Sequence, residues 1–156
     1  MSLGHTLIPP SIDRLHHSRT QLRNMIISRL GGRVAEEISF KDITTGAAND
    51  FDQATSVARN MVVESGMSEL GPINFGPTND ITEWGQMYYD QVRLSQETQN
   101  NIDNAIRKII EECYQEAKNI LTKHKKELDK VAEALIQHES LDEDEFVKIV
   151  GKKQTS

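Results

Sequence analysis

The apolar positions Ile102, Ile106, Ile109, Cys113, Ala117, Ile120 and Leu121 recur at three- and four-residue spacing through a stretch free of proline and glycine. That period lines one face of a helix with apolar side chains and leaves the charges on the other. A seam of this length is costly in water unless a second apolar surface covers it. The chain must therefore be organised around helix–helix packing. Ser95 stands where an N-cap is needed, and Lys123-His124-Lys125-Lys126 brings positive charge to the end where the helix dipole is negative.

Other segments supply the covering surfaces. Ser18-Arg19-Thr20-Gln21 is a capping-box pattern, and Leu22, Met25, Ile26, Leu30, Val34 and Ile38 follow at helical spacing, which predicts a helix to about Ile38. Gly31-Gly32 lies inside it at a cost of about 1 kcal/mol per glycine relative to alanine. The pair reads as a close approach by another backbone, or else as a break at Gly31. A second helix begins near Asn49 or Asp50, carries Phe51, Ala54, Ala58, Met61 and Val62 on its buried stripe, and stops at Gly66. Leu128, Val131, Ala132, Leu135 and Ile136 mark a further helix. Ser140-Leu141-Asp142-Glu143 is a capping-box candidate opening a short one with Phe146, Ile149 and Val150 before Gly151.

Between these helices the pattern dissolves. Gly4-His5-Thr6-Leu7-Ile8-Pro9-Pro10 reads as a short strand stopped by its prolines, and a lone strand must pair with something. No later segment is an obvious partner. From Gly66 to Leu94 the turn signals Gly71-Pro72, Gly76-Pro77 and Asn79-Asp80 predict a long central loop. Trp84, Tyr88 and Tyr89 fall in it, either to pack the loop onto the body or to grip a partner. Residues 152–156 have nothing to bury and are expected to fray. The expected architecture is mainly α: a bundle of about five helices with a short N-terminal β-strand and a long central loop.

At 156 residues the chain has the size of one domain. A net charge of −6 disfavours non-specific binding to nucleic acid, and no nucleic-acid partner is expected. The single cysteine, Cys113, excludes an internal disulfide and fits a reducing compartment; its place on the apolar seam makes it a core residue. No apolar run approaches the ~20 residues needed to span a bilayer, and no signal-peptide core is present, so the chain itself is expected to be soluble.

Chemistry-bearing residues are sparse. The five histidines are His5, His16, His17, His124 and His138, and none belongs to a His-Glu-x-x-His pair on one helix face. His138-Glu139 opens like that motif, but the second histidine is absent, and His138 reads as a helix-end residue. Asp13-x-x-His16 and His124-x-x-Glu127 are spacings that charged helices produce by chance. Glu36-Glu37 and the acidic run 142–145 read as solvated helix charges. No nucleophile elbow, phosphate-binding loop or Cys-x-x-Cys pair is present. Asp50 is the notable carboxylate. It follows Thr44-Thr45-Gly46-Ala47-Ala48-Asn49, where a glycine-containing loop turns into a helix, and that position suits a helix cap as well as a metal ligand. Local sequence alone favours the cap.

Four ordered motifs add to this reading: Leu30-Gly31-Gly32-Arg33-Val34-Ala35-Glu36-Glu37, Ile43-Thr44-Thr45-Gly46-Ala47-Ala48-Asn49-Asp50, Ala54-Thr55, and Gly66-Met67-Ser68-Glu69-Leu70-Gly71-Pro72. In this order and spacing they resemble the peptidase domain of the FtsH family, membrane-anchored ATP-dependent zinc proteases of bacteria, mitochondria and chloroplasts. Leu3-Gly4-His5-Thr6 with Pro9 is similar to the strand that precedes the first helix in that family. Leu135-Ile136-Gln137-His138-Glu139-Ser140-Leu141 with Glu145-Phe146 is similar to its C-terminal end. The resemblance covers nearly the whole chain.

The resemblance implies that Asp50 is the third zinc ligand, beside two histidines of a His-Glu-x-x-His helix whose Glu activates water. It implies that Glu36 supports the metal site from behind, and that the strand Gly4, His5, Thr6, Leu7 and Ile8 offers its edge to an extended protein substrate. The family's catalytic helix lies upstream of that strand. Residues 1–151 are thus expected to be the C-terminal portion of the peptidase domain, with no catalytic residue of their own and no activity alone. Zinc in the parent protein, ATP and magnesium in an ATPase module, assembly as a homo- or hetero-hexamer, and anchoring in a bacterial inner membrane or an organelle membrane are further implications. The alternatives are a family member without its catalytic helix that serves as a scaffold, and a helical interaction module.

Overall fold

A computed structural model describes residues 16–42, 44–76, 78–81, 87–90 and 94–151. Five α-helices dominate it: α1 (Arg19–Phe40), α2 (Ala48–Val63), α3 (Gln96–Lys123), α4 (Lys125–His138) and α5 (Glu143–Val150). A single 3₁₀ turn, Thr45–Ala47, leads into α2. The expected N-terminal strand and the tail 152–156 lie outside the described residues, as does Trp84. The central segment is more ordered than a loop, because β1 (Thr78–Ile81) and β2 (Met87–Asp90) pair antiparallel, with Thr78 opposite Asp90 and Ile81 opposite Met87. Asn79-Asp80 is therefore strand, not turn; ladder pairing overrides the local turn preference of that dipeptide.

The helix ends follow their capping chemistry. Ser18 Oγ accepts from the Gln21 amide at 3.2 Å and Gln21 Oε1 accepts from the Ser18 amide at 2.8 Å, completing the predicted box. Ser95 Oγ accepts from the Thr98 amide at 3.1 Å at the start of α3. At α5 the box is shifted from the predicted position. Asp142, not Ser140, is the cap, and it exchanges bonds with Glu145 at 2.8 and 3.0 Å. A carboxylate outcompetes a hydroxyl here because it accepts more strongly from the free amides of the first turn.

Helix α1 runs unbroken through Gly31 and Gly32. The expected close approach does not occur there: among the described residues, a Cβ on either glycine would meet nothing within 4 Å. Gly66, by contrast, has φ +57°, and a Cβ there would lie 2.9 Å from Pro72 Cα. It lets the chain turn out of α2, with the Met67 amide donating back to the Met61 carbonyl at 2.8 Å.

α1, α2 and α3 enclose the core. Ile26, Leu30, Ala54, Ala58, Met61, Val62, Ile102, Ala105, Ile106, Ile109 and Cys113 form one buried cluster. Ala54 and Ala58 on α2 are fully buried, so their small side chains set how closely α2 approaches its neighbours. Burial also pushes the Cys113 thiol up, which disfavours the reactive thiolate and fits its core role. Not every position of the predicted stripes is covered, since Met25 and Ile120 are substantially exposed.

Polar struts flank the α1–α3 seam. Arg23 donates to Glu112 at 2.8 Å, and Glu37 accepts from Lys118 at 2.7 Å and from the Tyr114 hydroxyl. α4 and α5 pack on each other and bury no residue fully. No helix among the described residues is long and apolar enough to cross a membrane.

Candidate metal centre

The turn before α2 is built from its threonine outward. Thr44 is extended, and its Oγ1 accepts from the Gly46 amide at 3.2 Å, which closes the chain into the 3₁₀ turn. Ala47 is buried and anchors the turn apolarly, whereas Thr44, Thr45 and Gly46 remain exposed. α2 then starts at Ala48, and Asp50 is the third residue of its first turn.

Asp50 is not the helix cap. Ala47 holds that position, and no side chain caps α2. The 3₁₀ turn continues directly into the helix and removes the need for a side-chain acceptor. The Asp50 carboxylate is half-buried and has no hydrogen bond or ion pair among the described residues. It sits in the first turn, where the helix dipole favours negative charge, and no described residue takes up its lone pairs. A carboxylate in that state fits one position of a zinc site. It does not make a site alone, because no group of three His, Cys, Asp or Glu side chains able to hold a metal occurs among the described residues. His16, His17, His124 and His138 are all exposed, with His138 in the last turn of α4 as expected. Residues 4–8, the expected substrate strand, lie outside the described residues.

Glu36 and Glu37 are not the solvated charges that local sequence suggests. Glu36 Oε1 accepts from Thr44 Oγ1 at 2.9 Å, and its Oε2 accepts from the Thr44 amide at 3.4 Å, so α1 grips the turn leading to Asp50. Glu37 faces α3, where the Lys118 ammonium and then the Tyr114 hydroxyl hold its carboxyl below the ordinary carboxylate range. Arg33 has no assigned role in the sequence pattern, yet it joins the same turn. Its Nη1 donates to the Thr44 carbonyl at 2.8 Å, lies 3.7 Å from Glu36 Oε2, and its guanidinium stands 5.3 Å from the centre of the Phe51 ring. The Arg33–Glu36 spacing on one helix face is the only local hint of it.

Fold and turn together define a helical domain with a half-buried carboxylate, unpartnered among the described residues, on a braced helix start. The model of peptidase family M41 matches residues 1–149, and the chain belongs to that family. Among curated relatives, it is 40% identical over 153 residues to an ATP-dependent zinc metalloprotease FtsH of Thermotoga maritima, covering 97% of this chain and 25% of the relative. It is 44% identical over 145 residues to the protein of that name from Thermus thermophilus, covering 92% of this chain and 23% of the relative. For Bacillus subtilis the identity is 40% over 149 residues, with 94% and 23% covered. The chain spans about a quarter of the length of the curated relatives it matches.

Proposed function

We propose that residues 1–151 are the C-terminal portion of the peptidase domain of an ATP-dependent zinc metalloendopeptidase that degrades membrane and unfolded proteins, and that Asp50 is one of its three zinc ligands. The observation that carries the ligand assignment is the state of Asp50: half-buried, in the first turn of α2, and without a partner among the described residues. Glu36 keeps that carboxylate in place by holding the Thr44 end of the turn. Zinc, when bound, supplies a Lewis acid that activates water for attack on a peptide carbonyl.

The sequence has no His-Glu-x-x-His. The other ligands and the general base therefore belong to another part of the parent protein, in keeping with relatives about four times as long. The chain alone neither holds zinc tightly nor hydrolyses peptides. The segment Gly4, His5, Thr6, Leu7 and Ile8, which lies outside the described residues, belongs to the substrate-binding part of the domain. ATP and magnesium serve the ATPase module of the parent, which works as a hexamer anchored in a membrane through segments other than these.

In the full-length protein, Asp50→Ala should abolish proteolysis and zinc retention while leaving ATP hydrolysis largely intact. Retained proteolysis would sink the ligand assignment. Metal analysis of the chain alone should find no stoichiometric zinc. A second reading, a scaffold or interaction module, draws on the exposed apolar residues Leu135, Ile136 and Phe146 of α4 and α5. It would gain if Asp50→Ala left every function of the parent unchanged.

A further inference from the structure

Arg33 touches the turn on both sides of Asp50. Upstream it donates to the Thr44 carbonyl at 2.8 Å, and downstream its guanidinium lies over the ring of Phe51, the residue directly after the carboxylate. It also stands 3.7 Å from Glu36, which itself accepts from the Thr44 hydroxyl and amide. One cation on α1 thus ties together the entry to the turn, the start of α2 and the acid that grips the turn from behind.

Resting on the reading of Asp50 as a zinc ligand, we propose that Arg33 is a positioning residue for that ligand, fixing the turn against α1 so that the Asp50 carboxylate is held in its ligating place. Apolar packing of the turn itself is limited to Ala47, since Thr44, Thr45 and Gly46 are exposed, so the turn depends on polar contacts for its hold on α1. A metal ligand must be held to within about 0.5 Å, a tolerance met only when its supporting groups are themselves locked. Arginine suits the task where lysine does not. Its planar fork donates to a carbonyl while its cation lies over an aromatic ring, and a lysine ammonium keeps the charge but loses the fork.

The test uses the full-length protein with Arg33→Lys beside Asp50→Ala. Zinc affinity is measured by chelator competition, and the metal-free forms are followed by thermal unfolding and by hydrogen exchange at the amides of residues 44–50. Arg33→Lys should weaken zinc by about 10- to 100-fold, the range for lost supporting contacts around a metal. It should speed exchange at the Gly46 amide and leave the metal-free unfolding midpoint unchanged. Excess zinc should restore its proteolysis, whereas Asp50→Ala should stay inactive.

Unchanged zinc affinity in Arg33→Lys, with affinity lost in Asp50→Ala, overturns the positioning role and leaves the ligand reading standing. Unchanged affinity in Asp50→Ala overturns the ligand reading, and the inference with it. A weakened zinc affinity matched by a lowered metal-free midpoint also overturns the positioning role, since Arg33 would then serve the fold in general.

Discussion

Glu36 and Glu37 are neighbours in sequence, and about 100° of helical rotation sends them to different partners. Glu36 meets the turn before α2, and Glu37 meets α3 through Lys118 and Tyr114. The Lys118 bond, then that of Tyr114, lowers the folded-state pKa of Glu37 below its unfolded value. A depressed carboxylate stabilises the fold fully above the unfolded pKa, and that contribution is lost as pH falls through the folded pKa. Unfolding midpoints of the chain should therefore drop on acidification below about pH 4.3, and Glu37→Gln should flatten that part of the profile. A variant profile as steep as the wild type would remove Glu37 from the account. The proposed role of Asp50 rests on the ordered motifs around it, and that of Glu36 on them less directly. The strut and the Arg33 clamp were not legible in the sequence, because they join residues on different elements whose relative rotation no local pattern encodes.

At the level of elements, capping chemistry and apolar period carried most of the information. The extents of α1 and α3 follow from Ser18, Ser95 and their stripes, since each signal is local and physically complete in itself. Glycine was harder to read, because its meaning depends on what faces it. Gly32 meets no neighbour among the described residues within a regular helix, so Gly32→Ala should stabilise this chain by up to about 1 kcal/mol in denaturant unfolding. Gly66 is held at φ +57° against Pro72, so Gly66→Ala should destabilise it by more than about 1 kcal/mol in the same measurement. Equal effects of the two would mean that local backbone preference, rather than the surroundings, decides both. The β1–β2 pairing escaped prediction for a related reason. Turn-forming dipeptides dominate that segment locally, and a ladder exists only once the two halves meet.

Across the whole molecule, burial is distributed unequally. α1, α2 and α3 share one cluster in which Ile26, Leu30, Met61, Val62 and Cys113 are almost wholly shielded from water. α4 and α5 contribute no buried residue, and Ile136 remains 82% exposed. Amphipathic stripes predicted all five helices with equal force, since a stripe states that a face is apolar and not what covers it. Opening α4 and α5 sacrifices little apolar contact, whereas opening any of the first three helices exposes the shared core. Hydrogen exchange should thus divide the chain at His124, where α3 gives way directly to α4. Core amides of α1, α2 and α3 should exchange only through global unfolding and respond to denaturant with its full slope. Amides of α4 and α5 should exchange through local opening, with lower protection and little dependence on denaturant. Removing residues 124–156 should leave one cooperative unfolding transition. Protection in α4 equal to that in α3, or loss of cooperativity on truncation, would mean that the C-terminal pair belongs to the same folding unit as the core.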